Sequence, residues 1–328
     1  MNALITQTAK YLPERVLTNF DLEKMVDTSD EWIQSRTGIK ERRLVKKGEA
    51  TSDMAANIAK KLLKKSGKLP EDIDVIIIAT CTPDMLVVAT AALVQEKIGA
   101  KNAWGFDLAG ACTGFIYALE TGSKLVESNR YKNVMVIGVD TMSSIIDYTD
   151  RNTCIIFGDG GGGVLLEPTN KEVGIMDALL YLDGSGSNYL NVPAGGSLNP
   201  ASAETVSKNQ HFVFQDGKKV FKFAVKKMAD VSSEILKKNG YTGKDLKLFI
   251  PHQANKRIID ASRERCNLSE EQVLINIQNY GNTIEIYGNP SPSSPTRASA
   301  APARPARSRA RPRGRVWGAF GIFLTEFK

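Results

Sequence analysis

The chain has 328 residues, 42% hydrophobic and 7% aromatic, enough for a large core shared by two packed halves. Its net charge of +7 comes entirely from seven arginines, at 297, 304, 307, 309, 311, 313 and 315; the rest of the chain holds 36 basic and 36 acidic residues, so charge gives no argument for nucleic acid as a partner. No apolar run approaches the roughly 20 residues of a membrane span, and "MNALITQTAKYLPERV" lacks the basic and apolar regions of a secretion signal, so the cytoplasm is the expected compartment.

In chain order, "SDMAANIAKKLLKKSG" (52–67) predicts an amphipathic helix with a Gly stop. "DVIIIAT" (74–80) predicts a strand buried on both faces. "GFIYALETGSKLVES" (114–128) predicts a second helix, and "NVMVIGVD" (133–140) and "GGGGVLLE" (160–167) two further buried strands. Alternating helices and buried strands imply an α/β class with a layered sheet.

The pattern repeats. "LKKSGKLPEDIDVIII" starts at Leu63 and "LKKNGYTGKDLKLFI" at Leu236, an offset of 173 residues. Coincidence between two helix–turn–strand units is one reading. A duplicated domain is the other, and it requires a helix and further strands after about Asn282. The expected division is 1–170 and 171–328.

Three residues carry candidate chemistry. Cys112 sits between a strand and a helix, surrounded by Ala109, Gly110, Ala111 and Gly114. A sharp turn there would expose the thiol, and the helix N-terminus would lower its pKa; a buried structural cysteine is the alternative. His252, in "PHQAN", follows a strand end in the second copy of the repeat, where it is expected to face a cleft. Asn282 closes "VLINIQNYGNT", read as the end of another strand. Cys81, Cys112, Cys154 and Cys266 show no paired spacing, and His211 and His252 are the only histidines. Structural disulfides and a His-based metal site are therefore not expected.

These motifs, together with "TSDEWIQSRTGIKERR" (28–43), "DRNTCIIFGDGGGGVLL" (150–166) and "VFKFAV" (220–225), resemble in order the β-ketoacyl-acyl-carrier-protein synthase III family, over about 1–283 and again at 316–328. The resemblance implies a thiolase-like fold, a duplicated α-β-α arrangement of two similar halves. It implies decarboxylative Claisen condensation of an acyl-coenzyme A primer with malonyl-acyl carrier protein, starting fatty acid synthesis. Cys112 would carry the acyl group, and His252 and Asn282 would stabilise the enolate. No metal or redox cofactor is implied, since coenzyme A enters as part of a substrate. Trp32 and Arg151 would sandwich its adenine. Arg36 would join the substrate site, and Asn255 would bind the pantetheine arm or support His252. Lys222, Lys256 and Arg257 would form a basic rim for the carrier protein, although ordinary solvated charge suits Lys256 better. A homodimer is implied too. A cysteine protease built on Cys, His and Asn is a weaker reading, because the surrounding motifs do not fit that class.

Two departures stand out. Val87 occupies the position where the family has a Phe shaping an acyl pocket across the dimer, so acetyl cannot be assumed as primer. Then, from 284 to 315, the chain loses the family pattern. "PSPSSPTRASAAPARPARSRARPRGR" (290–315) contains only Pro, Ser, Thr, Arg, Ala and Gly, residues whose codons include G or C at the second base. A frame-shifted read restored before Trp317 explains this alphabet; a disordered basic tail that binds polyanions is the alternative. Either leaves the chain short of a core helix and an expected oxyanion donor, so weak folding or activity is expected. Sequencing the encoding DNA decides: single-base shifts should restore a helix, a strand and a glycine loop, and their failure to do so would sink the frame-shift reading.

Overall fold

The computed structural model describes residues 1–283 and the backbone of 315–318 and 322–326. The remaining positions, including the basic stretch and its frame-shift reading, lie outside the described residues.

The chain opens with β1 (Asn2–Tyr11), β2 (Arg15–Thr18), α1 (Asn19–Leu22), α2 (Asp30–Thr37) and β3 (Glu41–Leu44). It continues through α3 (Thr51–Ser66), β4 (Val75–Ala79), α4 (Thr90–Ile98), β5 (Trp104–Leu108), α5 (Gly114–Glu127), β6 (Val134–Asp140), α6 (Arg151–Cys154) and β7 (Gly160–Thr169). The second half holds β8 (Ile175–Leu179), β9 (Leu190–Asn191), α7 (Ala203–Ser207), β10 (Phe214–Gln215), α8 (Gly217–Lys238), β11 (Leu248–Ile250), α9 (Lys256–Arg265), α10 (Ile277–Tyr280), β12 (Arg315–Gly318) and β13 (Ile322–Glu326).

The first sheet runs β1-β7-β6-β4-β5. β4 is parallel to β5 and β6, while β7 is antiparallel to β1 and β6. Its faces follow the two-residue period of a strand. Ile76 and Ile78 pack with α3 and α4, whereas Val75, Ile77 and Ala79 pack with α5. Glycines in β7 let α3 approach closely. A Cβ on Gly163 would lie 2.9 Å from both Ile137 Cγ1 and Ile58 Cγ2, and 3.1 Å from the Val136 carbonyl oxygen.

The second sheet runs β11-β12-β13-β8. β12 pairs parallel to β11 in the register Phe249 to Trp317, and β13 returns antiparallel to β12 and β8. Within the terminal "VWGAFGIFLTEFK", residues 316–318 and 322–326 therefore supply sheet strands, as the sequence pattern requires.

The 173-residue repeat has matching local geometry. Gly67 and Gly240 follow α3 and α8, each with φ of 69°. Each is followed by a short 3-10 turn in which an Asp accepts a backbone N–H three residues back: Asp72 from Leu69, and Asp245 from Thr242, both at 2.8 Å. The strands β4 and β11 come next. Gly supplies the left-handed stop and Asp the turn cap.

Gly163→Ala is expected to destabilise the protein by about 1–3 kcal/mol, because its Cβ has no room. The urea midpoint should fall, and an unchanged midpoint would refute this account of β7.

Candidate active site

Cys112 lies in the 3-10 turn Ala111–Thr113, between β5 and α5. The turn is tight. Ala111 has φ of 43°, a left-handed value that is costly for a residue with a Cβ. A Cβ on Gly110 would lie 2.8 Å from Gly114 Cα. The Thr113 backbone N–H and hydroxyl both donate to the Gly110 carbonyl, at 3.1 and 2.8 Å. The small residues read from the sequence are thus steric requirements. Cys112 is partly buried and packs against the core cluster that contains Phe157 and Phe249.

Those two residues lead to the other two candidates. Phe249 lies in β11, three residues before His252. Phe157 forms an isolated parallel bridge with Asn282. Cys112, the strand that precedes His252 and the Phe157 partner of Asn282 thus border one core cluster.

His252 is 1% exposed, so it is buried where the sequence suggested a cleft-facing loop. Burial pushes its imidazole down to about 4, so the ring is neutral at physiological pH. The next residue, Gln253, is buried too and ties this loop to neighbouring chain. Its side-chain amide donates to the Pro251 and Leu274 carbonyls at 2.9 and 3.1 Å. Its oxygen accepts from the Asn276 and Ile277 amides at 3.0 and 3.2 Å. All four hydrogen-bonding positions of the amide are used.

The same bonds explain a correction. "VLINI" does not form a strand. Val273 makes one isolated bridge to Phe249, Leu274 N–H reaches Phe249 O at 2.9 Å, and α10 follows. Gln253 takes the next amides and diverts the chain from the sheet. Asn282 then reaches its place through Gly281, whose φ of 66° and ψ of −160° suit only glycine. The Asn282 amide donates to Ile156 O at 2.9 Å, and Gly158 donates to Asn282 O at 3.0 Å. Asn282 is 6% exposed.

A second unforeseen residue is Asp140, fully buried at the end of β6. Its Oδ1 accepts from the Thr80 hydroxyl, the Cys81 and Thr82 amides, the Cys81 thiol and the Thr82 hydroxyl. Burial pushes its carboxyl up to about 6, against the pull of these donors. Thr80 N–H in turn donates to Leu108 O at 3.2 Å, so Asp140 fixes the strand end that leads into the Cys112 turn. Its only sequence signal is an Asp closing a buried strand.

The outlying candidates sit as follows. The Arg151 guanidinium lies 5.0 Å from the Trp32 ring centroid and donates to Asp27 O at 2.7 Å. The two groups already touch, so an inserted base requires Arg151 to swing off the indole. Asn255 caps α9 by accepting from Arg257 N–H at 2.9 Å and donates to Arg36 O, also at 2.9 Å. Lys256 pairs with Asp260 at 2.7 Å. Arg257 covers the Phe221 ring at 4.5 Å. Arg36, Lys222 and Arg257 are exposed. Val87 is 96% exposed and stands clear of its own chain. Among the described residues, no group of three His, Cys, Asp or Glu side chains is placed to hold a metal ion, and no helix is long and apolar enough to cross a membrane.

Residues 106–184 match the profile of 3-oxoacyl-[acyl-carrier-protein] synthase III, and 236–286 match that of its C-terminal part. The β-ketoacyl-[acyl-carrier-protein] synthase III of Koribacter versatilis is 56% identical over 283 residues, covering 86% of this chain and 85% of its own. That of Chlorobaculum tepidum is 56% identical over 286 residues, covering 86% and 87%. The crystal structure of the Aquifex aeolicus 3-oxoacyl-[acyl-carrier-protein] synthase III superposes with a TM-score of 0.79 at 43% identity, covering 86% of this chain and 87% of that one. The chain belongs to the β-ketoacyl-acyl-carrier-protein synthase III family, the thiolase-fold condensing acyltransferases that initiate fatty acid biosynthesis.

Proposed function

We propose that this chain condenses an acyl-coenzyme A primer with malonyl-acyl carrier protein, with Cys112, His252 and Asn282 as the catalytic residues. The observation that supports this most directly is the strained Cys112 turn, packed on the same core as the segments bearing a neutral buried imidazole and a buried amide. The Cys112 thiolate attacks the primer thioester, and coenzyme A leaves as the thiolate and takes up a proton. The malonyl C–C bond then breaks. Carbon dioxide departs, and the bonding pair becomes an enolate whose oxygen accepts hydrogen bonds from His252 and Asn282. A neutral imidazole suits this, because its N–H donates to the enolate oxygen without being acidic enough to protonate it. The enolate carbon attacks the acyl-Cys112 carbonyl and expels the thiolate, leaving a 3-ketoacyl product on the carrier protein.

The two halves divide at 1–170 and 171–328 in this reading. Trp32, Arg36, Arg151 and Asn255 flank the primer's coenzyme A, and the exposed Lys222 and Arg257 face the acidic carrier protein. A second copy completes the assembly. β5 is the outer strand of its sheet. It presents Trp104, 44% exposed, stacked on Phe106 and near Tyr131. The neighbouring Leu86 and Val87 are 88% and 96% exposed. An open edge beside exposed apolar side chains fits a homodimer that covers both.

Incubation with radiolabelled acyl-coenzyme A should label the chain at Cys112, and Cys112→Ala should abolish the label. Persistent labelling of the variant would overturn the assignment. Sedimentation equilibrium should give the mass of two chains, shifting to one with Trp104→Lys and Val87→Asp combined; a parent chain sedimenting as a monomer would contradict the dimer.

A further inference from the structure

Arg42 has the largest fully buried side chain of the described residues, yet its hydrogen bonds go to neutral acceptors. Its Nη1 donates to Leu17 O at 3.2 Å and to Asn19 Oδ1 at 2.9 Å. Its Nη2 donates to the same Asn19 oxygen at 3.0 Å and to Ile155 O at 2.7 Å. Its Nε is buried without a hydrogen-bond partner. Burial pushes its guanidinium down to about 10, so it remains charged. A buried cation hydrogen-bonded to neutral acceptors, with only a weak pull from Glu41, is costly, and an apolar side chain of similar size would serve the core better. Packing alone does not account for it.

Its position does. Arg42 lies in β3, between the segment 155–159 and the α10–Asn282 turn. On one side, Arg43 O accepts from Asp159 N–H at 2.8 Å; on the other, Lys40 N–H donates to Gln278 O at 3.0 Å. A Cβ on Gly158 would lie 2.9 Å from Arg42 Cβ and 2.6 Å from Tyr280 O. A Cβ on Gly281 would lie 3.2 Å from Arg42 Cβ and 2.8 Å from Ile156 O. Three backbones therefore meet at van der Waals distance around Arg42. The carbonyl it grips, Ile155 O, is one peptide before Ile156 O, which accepts the Asn282 amide.

We propose that Arg42 is a positioning residue for Asn282: the guanidinium fork holds the 155–158 segment in the register that fixes the Asn282 backbone, and through the backbone its side-chain amide. This rests on the reading of Asn282 as a donor to the enolate. Arg42 does not touch the reacting atoms, and its effect is confined to the malonyl half-reaction. A Lys at this position keeps the charge but gathers its donors on one nitrogen, where Arg42 spreads four bonds over two.

The test compares Arg42→Lys, Arg42→Met and Asn282→Ala in the full chain. Primer transfer to Cys112 and carbon dioxide release from malonyl-acyl carrier protein are measured separately, and hydrogen exchange is followed at the Asn282 amide. Both Arg42 variants should keep Cys112 acylation within about twofold. They should lose roughly ten- to a hundredfold in carbon dioxide release, as a misplacement of about 1 Å predicts. Exchange at Asn282 should quicken while exchange in β6 stays unchanged. Equal loss of both half-reactions, unfolding of both Arg42 variants, or unaltered exchange at Asn282 would overturn the proposal. Normal carbon dioxide release in Asn282→Ala would instead refute the reading on which it rests, with the exchange result still deciding whether Arg42 positions that turn.

Discussion

A loop that crosses buried space must satisfy its own backbone, and the turn after β11 does so through one side chain. Gln253 donates twice and accepts twice, joining residues 251–253 to the start of α10. Without those bonds the amides of Asn276 and Ile277 would be left without these acceptors, at roughly 1–3 kcal/mol for each one stranded in the core. Next to Gln253, His252 lies below the surface, where its imidazole loses its proton. The bonds have two consequences. The chain leaves the sheet after Leu274. It then turns back through Gly281, so that Asn282 meets Phe157 across the middle of the molecule.

The nucleophile side is built by the same economy with different parts. Asp140 gathers the end of β4, and β4 aligns the last carbonyl of β5. The chain then turns sharply through Gly110 and a left-handed Ala111. Rigid strand ends carry the strain of the turn, which is how a reactive group is held without a mobile loop. Buried polar residues therefore stand behind each of the three candidate side chains: Asp140 behind Cys112, Gln253 behind His252, and Arg42 with the 155–158 segment behind Asn282. Each is joined by hydrogen bonds to chain that is distant in sequence.

That distance decides what a reader of the sequence can see. The helices and strands of the first half were legible, because their signals are local: a Gly stop, an unbroken apolar run, small residues around one Cys. The repeat was legible for the same reason, down to Gly67 with Gly240 and Asp72 with Asp245. Gln253 and Arg42 were not, since three of the four Gln253 partners lie 21 to 24 residues away and the Arg42 partners 23 to 113. "VLINI" misled because its apolar pattern is that of a strand, and only the tertiary competition from Gln253 ends the pairing. The loop position of His252 misled similarly. Polar neighbours in sequence suggested exposure, but Gln253 is polar because it works inside.

What most depends on this folding is a neutral, buried imidazole at His252, on chain that borders the same core as Cys112. Nuclear magnetic resonance titration of the ring tests it most directly, and the chain has only two histidines, so a His252→Gln variant assigns the signals. The His252 shifts should stay flat from pH 8 to about 5 and move only toward a midpoint near 4. A midpoint near 6.5, the ordinary value for an exposed imidazole, would contradict the account.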